Sequence, residues 1–493
     1  MKRRIASHSV GTIVFALSVL VFPLYCVQLT AAPAGAVYYV DGVTGNDFNG
    51  GTAGAPWRTI QKAANTLVAG ETAIVNAGTY YERVLVTRSG TAGNLITFQA
   101  LGNVLMQGFN IQASYIKVDG FEIANIPAVD YTNRSNGSGV YLLGSNSEIT
   151  NNYIHQTPAA GIYLEPSGTS NNLIGANRIV SAVECGIFAQ GNNNLVVSND
   201  ISHTRAVAGS DADGIRFFGT GSTIRKNYIH DIVAADSPGQ ILNIDAIQTW
   251  GPADSVTIEQ NMFDVPEDNM QGAMISISVP PVQNLTFRNN IFINGSQTPP
   301  GPAINIMGYS GTGLLNTVFN TIIANNTFVR TGGNNLAYCV NLHDGVQNAT
   351  VMNNVFYNCG GSLFGYVSTA PVFGGTTSGI TIGNNSVFTT NGVPPMGGAN
   401  PSDVWMVDPM FVNTATRDFH PQAASPLINT GATLPQVTND YDGVARPQGS
   451  APDIGAFEFS SSSTGSLAKS NTMTRNSANF SPNNAVEHLW MVV

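Results

Sequence analysis

Charge is what this chain has least of. Asp, Glu, Lys and Arg make up 10% of its 493 residues, against about 25% in an ordinary soluble domain. The 20 basic and 30 acidic side chains leave a net charge of −10. A nucleic-acid partner is excluded, because the clustered Lys and Arg that neutralise phosphates are missing. An anionic polymer would be repelled by the molecule as a whole and could bind only at a local cation. Cysteine is scarce too, at 4 residues, and shows no metal-ligand spacing. Beyond the N-terminal segment, no apolar run is long enough to span a bilayer.

That segment opens Met1-Lys2-Arg3-Arg4, continues with an apolar run from Gly11 to Val21, and ends in small residues, Ala31-Ala32-Pro33-Ala34-Gly35-Ala36. This is the order of a secretory signal peptide. Residues 1–36 are therefore read as a cleaved leader and the mature protein as secreted, with no membrane span after cleavage. From Ser460 onward the sequence turns Ser-, Asn- and Thr-rich without a strand pattern, and 460–493 reads as a disordered tail.

Gly is abundant, at 52 residues, and between the two ends one short phrase keeps returning. It reads Glu148-Ile149-Thr150-Asn151-Asn152-Tyr153-Ile154, then Leu173-Ile174-Gly175-Ala176-Asn177-Arg178-Ile179, then Thr223-Ile224-Arg225-Lys226-Asn227-Tyr228-Ile229, and persists to Ile382-Gly383-Asn384-Asn385-Ser386-Val387. A short apolar strand, an Asn and a second short strand recur every ~22–35 residues, the period of a solenoid rather than a closed globule. The halves are too short for helices and rich in β-branched residues. Each coil adds one rung to parallel sheets, and the fixed Asn fits a tight corner, since Asn tolerates left-handed backbone. The column Asn152, Asn177, Asn199, Asn227, Asn261, Asn290, Asn354 and Asn385 is a structural amide ladder.

A second phrase lies between the corners: Gly161-Ile162-Tyr163-Leu164-Glu165, Gly186-Ile187-Phe188, Gly214-Ile215-Arg216, Ala246-Ile247-Gln248-Thr249-Trp250 and Ala303-Ile304-Asn305. Strand side chains alternate faces. With each Ile inward, Tyr163, Phe188, Arg216, Gln248 and Asn305 form one outward column, and Glu165, Gln190, Phe218 and Trp250 the next. A face mixing aromatic, amide and guanidinium groups suits a polymer with apolar ring faces and hydroxyl edges.

This pattern resembles the right-handed parallel β-helix, pectate-lyase-like superfamily. So does the start of the mature chain, Tyr38-Tyr39-Val40-Asp41 through Pro56-Trp57-Arg58-Thr59-Ile60 to Gly78-Thr79-Tyr80-Tyr81, which looks like the opening of bacterial polysaccharide lyases. Ser425-Pro426-Leu427-Ile428-Asn429-Thr430-Gly431 and Asp453-Ile454-Gly455-Ala456-Phe457-Glu458 resemble a closing module of secreted β-helix proteins. The resemblance implies an all-β fold, a single-stranded right-handed parallel β-helix of about ten coils over 37–400. A short helix at 59–68 caps it, a closing module spans 401–459, and a monomer is expected. Cys339 and Cys359 lie about one coil apart and could be stacked neighbours, which leaves a disulfide open in an oxidising compartment. Cys185 reads as a small buried residue.

Because charge is scarce, its one concentration stands out. Glu184, Asp211, Asp213 and Asp245 precede the second phrase on three successive coils, and coils stack about 4.8 Å apart. Carboxylates at that spacing repel one another, and Ca²⁺, which takes six to eight oxygens, would relieve them. Asp211-Ala212-Asp213-Gly214 resembles the acidic calcium motif of pectate lyases with ten-coil solenoids. Arg216 lies beside these acids, with Arg205, His203, Lys226 and His230 on adjacent corners. The candidate groove thus runs from about Glu165 to Asn305. His343-Asp344-Gly345 is a separate His/Asp pair.

The resemblance implies a calcium-dependent lyase acting on a uronic-acid polysaccharide of the pectate or alginate type. Asp211, Asp213, Asp245 and Glu184 would hold Ca²⁺ against the substrate carboxylate, and Lys226 or Arg216 would serve as the base or steady the intermediate. Tyr163, Gln248, Trp250, His203, His230 and Arg205 would contact the acidic polysaccharide. Three alternatives stay open. One is a non-catalytic glycan-binding or cell-surface structural β-helix protein. Another is a polygalacturonase-like hydrolase using Asp213 and Asp245 as acids, although its Gly-His-Gly and Arg-x-Lys phrases are absent. The last is a uronate epimerase sharing the lyase's first step.

Overall fold

Segments of two to six residues, as most strands here are, hold no structure alone. They persist because each pairs in parallel with its equivalent one coil on. The computed structural model describes residues 35–460 apart from 166–167, 241–243, 266–269, 277–279, 295–301, 309–316, 332–337, 364 and 371–373. The leader and tail readings fall outside the described residues, except at 35, 36 and 460.

The result is a parallel β-helix. Among the described residues, its first wall is an 11-stranded sheet running from Val84–Val86 to Val367–Ser368. The second wall carries strands such as Thr223–Arg225, and the third carries those such as Tyr228–His230. Helix Ile60–Thr66 covers the N-terminal end, burying Ile60, Ala63 and Ala64. Thr59 Oγ accepts from Lys62 N at 3.1 Å, and the Glu82 carboxylate accepts from Ile60 N and Gln61 N, both at 2.9 Å, so the helix N-terminus is doubly capped.

The second phrase has a steric reason. A Cβ on Gly186 would lie 2.4 Å from Ile201 Cγ2, and one on Gly214 would lie 2.6 Å from Ile229 Cγ2. The first wall approaches the third so closely here that only hydrogen fits. Along the third wall the inward column is Ile154, Ile179, Ile201 and Ile229, then Phe263, Phe292, Phe328 and Phe356. The last four rings stack at 4.7–5.1 Å.

The amide ladder forms, with two corrections. Nine Asn share it, because Asn326 joins the eight read from the repeats. Each Nδ2 donates to the next Oδ1 at 2.9–3.2 Å, and each backbone N–H donates to the same oxygen at 2.9–3.1 Å. The left-handed residue is not the ladder Asn but the one before it. Ala176, Ser198, Lys226, Gln260, Asn289, Asn325, Asn353 and Asn384 all have φ between 51° and 58°. That turn aims the following Asn inward, where it is buried.

Residues 408–459 run along the helix instead of stacking as further coils. Gln260, Asn289, Asn325 and Asn353, all corner residues, donate from their amides to the carbonyls of Asp440, Asn439, Asp453 and Ala432. Phe411, Phe419, Leu427, Ile454 and Phe457 pack on Ile291, Ile293, Val329 and Val355 of the third wall. The structure joins Cys339 to Cys359, with Cα atoms 5.5 Å apart, and leaves Cys185 buried as a free thiol. No helix among the described residues is long and apolar enough to cross a membrane.

Candidate functional site

The outward column of the first wall is in register as the repeats predict. Tyr141, Tyr163, Phe188, Arg216, Gln248, Met274, Asn305 and Asn341 pair coil to coil. Three residues upstream of Phe188, Arg216 and Gln248 stand Cys185, Asp213 and Asp245. Cys185 pairs with Asp213, and Asp245 N–H donates to Asp213 Oδ1 at 3.0 Å. The chain bends at the intervening Gly or Ala, so both columns face outward although their spacing is odd.

The acids are brought together, but around a guanidinium. Arg216 Nε donates to Asp213 Oδ2 at 2.6 Å, Nη1 to Glu184 Oε1 at 3.0 Å and Nη2 to Asp211 Oδ2 at 3.0 Å. Glu184 also receives Arg134 through Nε, at 3.1 Å to Oε2, and through Nη2 to Oε1. Burial works against the charge of Arg216, but Asp213 and Glu184 outweigh it and push the guanidinium pKa further up. Burial raises Asp213 to about 6 despite its arginine partner. Asp245 has only Gln248, whose Nε2 donates to Oδ2 at 2.9 Å. Burial, and then Asp213 and Asp211, drive it well above the usual carboxylate range. Asp245 Oδ1 and Gln248 Oε1 are buried without a hydrogen-bond partner among the described residues.

This arrangement bears on the calcium expectation through its donor chemistry. The reading placed a cation among Glu184, Asp211, Asp213 and Asp245. One oxygen each of Glu184, Asp211 and Asp213 already accepts from Arg216, which fills the centre a cation would need. Among the described residues, no group of three or more His, Cys, Asp or Glu is arranged to hold a metal ion. The donor set does not fit Ca²⁺ as read.

Two positions are separated from the site. Lys226 occupies an exposed left-handed corner between the second and third walls, with φ of 56°. It cannot serve as a base beside Arg216, because the Asn ladder that fixes its corner lies across the helix from the first-wall column. His230 is on the outer face of the third wall. Its imidazole bridges Asp200 Oδ1 at 3.0 Å and Asp231 Oδ2 at 2.8 Å and stacks on Tyr228. Burial opposes its charge, but Asp200 and then Asp231 outweigh this and raise its pKa.

The remaining predicted residues flank the cluster. Arg205 Nε donates to Ser181 O at 3.2 Å, and its carbonyl accepts from Glu184 N at 3.0 Å. His203 Nδ1 lies 2.9 Å from Asp236 Oδ2. Tyr163 and Trp250 belong to an aromatic ladder, Tyr141–Tyr163–Phe188–Phe218–Trp250, with successive centroids 4.7–5.7 Å apart. The expected open trough is instead covered. Tyr163, Phe188, Arg216, Gln248 and Asn305 are each 8% exposed or less.

Part of the cover is a strap the repeats did not reveal, inserted between the strands Glu122–Ile123 and Val140–Leu142. Arg83 donates to Ser135 O and Ser138 O at its base, and Tyr131 Oη donates to Gly209 O across two coils. Its Arg134 lies 5.2 Å over Tyr163 and 5.6 Å over Phe188, with 28% of its side chain exposed. The signal available was a lone Arg in a chain with 20 basic residues, set in a polar insertion longer than its neighbours.

Comparison with known proteins agrees with this architecture. Residues 103–263 match the family model described as the right handed beta helix region. The fold is a right-handed parallel β-helix. Solved structures give the particulars. Pectate lyase Pel9A superposes with a TM-score of 0.54 at 18% identity, covering 87% of this chain and 97% of that one. A rhamnogalacturonan lyase does so at 0.50 and 17%, covering 65% and 87%. In sequence, the uncharacterized protein YwoF of Bacillus subtilis (strain 168) is 32% identical over 120 residues, 21% of this chain. The chain spans 25% of the length of that curated relative.

Proposed function

We propose that this chain is a secreted polysaccharide-active protein that binds an acidic polysaccharide along the strap edge of the first wall and cleaves it by β-elimination. The observation that carries the reading is the partly exposed Arg134 side chain on an aromatic floor. A uronate ring needs an apolar surface for its face and a fixed positive charge for its carboxylate. Neutralising that carboxylate is also the first requirement of elimination, because it acidifies the adjacent C5 proton. Among the described residues, Arg134 donates only through Nε and Nη2 to Glu184, leaving Nη1 for a ligand, whereas Arg216 commits its whole fork to three carboxylates. Arg216 is therefore a positioning residue, fixing Glu184 and through it Arg134. Hydrolysis fits less well, since Asp213 and Asp245 are fully buried and a glycosidic acid must reach the leaving oxygen. The Cys339–Cys359 disulfide supports export to an oxidising compartment.

The test is incubation of the mature protein with pectate, alginate and glycosaminoglycans, with and without a chelator. Expected is an ultraviolet-absorbing unsaturated end on one uronate polymer, unchanged by chelation and reduced by Arg134→Ala in kcat as well as through KM. New reducing ends without absorbance would turn the reading to hydrolysis, and retention in affinity electrophoresis without product would turn it to glycan binding. Loss on chelation that calcium restores would return the acids to a metal role.

A further inference from the structure

Elimination needs a base on the substrate side of the strap, and the two basic residues read from the repeats do not supply one. Lys226 is on another corner, and Arg216 is buried in its carboxylates. The loop from 203 to 211 offers a different group. It lies beside the Glu184 loop, with Arg205 bridged to Val183 and the Arg205 carbonyl accepting from Glu184 N. It also receives the strap, through Tyr131 on Gly209. At its start His203 holds a left-handed corner, φ 54°, and its side chain is 43% exposed. Asp236, in the short 3-10 turn of the next coil, fixes Nδ1 at 2.9 Å. An imidazole with Nδ1 bound to a carboxylate keeps Nε2 for proton exchange, and its tautomer and orientation are set by that partner.

Resting on the lyase reading above, we infer that His203 is the general base of the proposed elimination, with Asp236 as its positioning residue. Nε2 takes the C5 proton. The C5–H electron pair becomes the C4=C5 double bond, the C4–O4 bond breaks with its pair on oxygen, and O4 takes a proton from water. The imidazolium returns its proton to solvent, so no other reactant is needed. The charged groups around this imidazole are Asp236, Asp231 at the adjoining corner, Asp200 and His230 on the third wall, and Arg205 on its own loop.

The experiment compares wild type, His203→Gln and Asp236→Asn on the polymer that wild type cleaves, by absorbance of the unsaturated product across pH. General-base removal is expected to cost ~10²–10⁴-fold in kcat, with KM little changed and thermal midpoints close to wild type, since His203 is exposed. Asp236→Asn should lower kcat with KM and the thermal midpoint little changed, because the imidazole loses the partner that sets its tautomer and orientation. Full turnover by His203→Gln, or a kcat unmoved by Asp236→Asn, overturns this inference and leaves the lyase reading standing. A wild type that forms no unsaturated product overturns both.

Discussion

Two stacks of buried polar side chains run along this helix, and they solve the same problem differently. The Asn ladder is uniform: nine amides, the first eight each donating to the next, whose oxygen also takes a backbone N–H. The amides also donate to wall carbonyls such as Ile149 O, Ile174 O and Val196 O, and no net charge is buried in the stack. The first-wall flank is mixed. Glu184, Asp211, Asp213 and Asp245 stack beside Cys185, Phe188, Arg216 and Gln248, and the acids depend on two arginines, one of them borrowed from a strap. Where the coil supplies Gln248 in place of an Arg, burial and the neighbouring acids hold Asp245 toward its neutral form, and two polar atoms find no partner among the described residues. A repeat protein that can satisfy its polar groups uniformly, yet does not at one flank, marks that flank as serving something other than stability.

The contrast can be broken most severely at Arg216. Arg216→Met leaves three converging carboxylates without their cation, and a loss of about 3–5 kcal/mol is expected by denaturant titration at pH 7. A loss below ~1 kcal/mol would mean the acids are solvated and the cluster is no charge hub. Interrupting the uniform stack costs less. Asn227→Leu orphans the Asn199 amide and a backbone N–H, each worth ~1–3 kcal/mol when buried, and a local deficit of a few kcal/mol should appear with amide exchange quickening on adjacent coils first. If the change is neutral, the ladder is a consequence of coil stacking and not a contributor to it.

Asp245→Asn sharpens the comparison by making the mixed flank resemble the amide ladder. Asp213 and Asp245 have raised pKa values in the folded chain, so folding retains protons that the unfolded chain releases. Their contribution is present at acid pH and is lost as pH rises from 3.8 through about 6 for Asp213. The asparagine variant should therefore be as stable as wild type or more so at pH 7, with a flatter decline over that window. A steeper decline would show that Asp245 is ionised and paired. The smallest effect is expected at Lys226→Asn. It restores the commonest corner residue at a left-handed position and should change stability by no more than about 0.5 kcal/mol and leave turnover untouched, which a single kinetic and melting comparison checks.

Legibility followed periodicity. The strand halves, the inward Ile, the amide column and the register of Tyr163, Phe188, Arg216 and Gln248 could all be read because each repeats once per coil and a one-residue slip would turn the core outward. The proximity of Glu184, Asp211 and Asp213 was readable for the same reason. Asn326 was missed only because Ile322-Ile323-Ala324 is a weaker copy of the phrase. What lay between the acids was not readable. Arg216 was taken as a neighbour of the cluster, whereas its fork fills the centre, because the bend at Gly214 points Asp213 and Arg216 to one side. Lys226 was misplaced because the residue before each ladder Asn turns outward, away from the core and from the first wall.

The sequence by itself determined a parallel β solenoid with Gly where two walls touch, since those demands are local and recur in every coil. Only the tertiary structure decided what the acids hold, what covers the aromatic ladder and which cation stays exposed. Arg134 belongs to a non-repeating insertion, and the energy that seats it, a shared carboxylate and two aromatic faces one and two coils away, exists only after the coils have stacked.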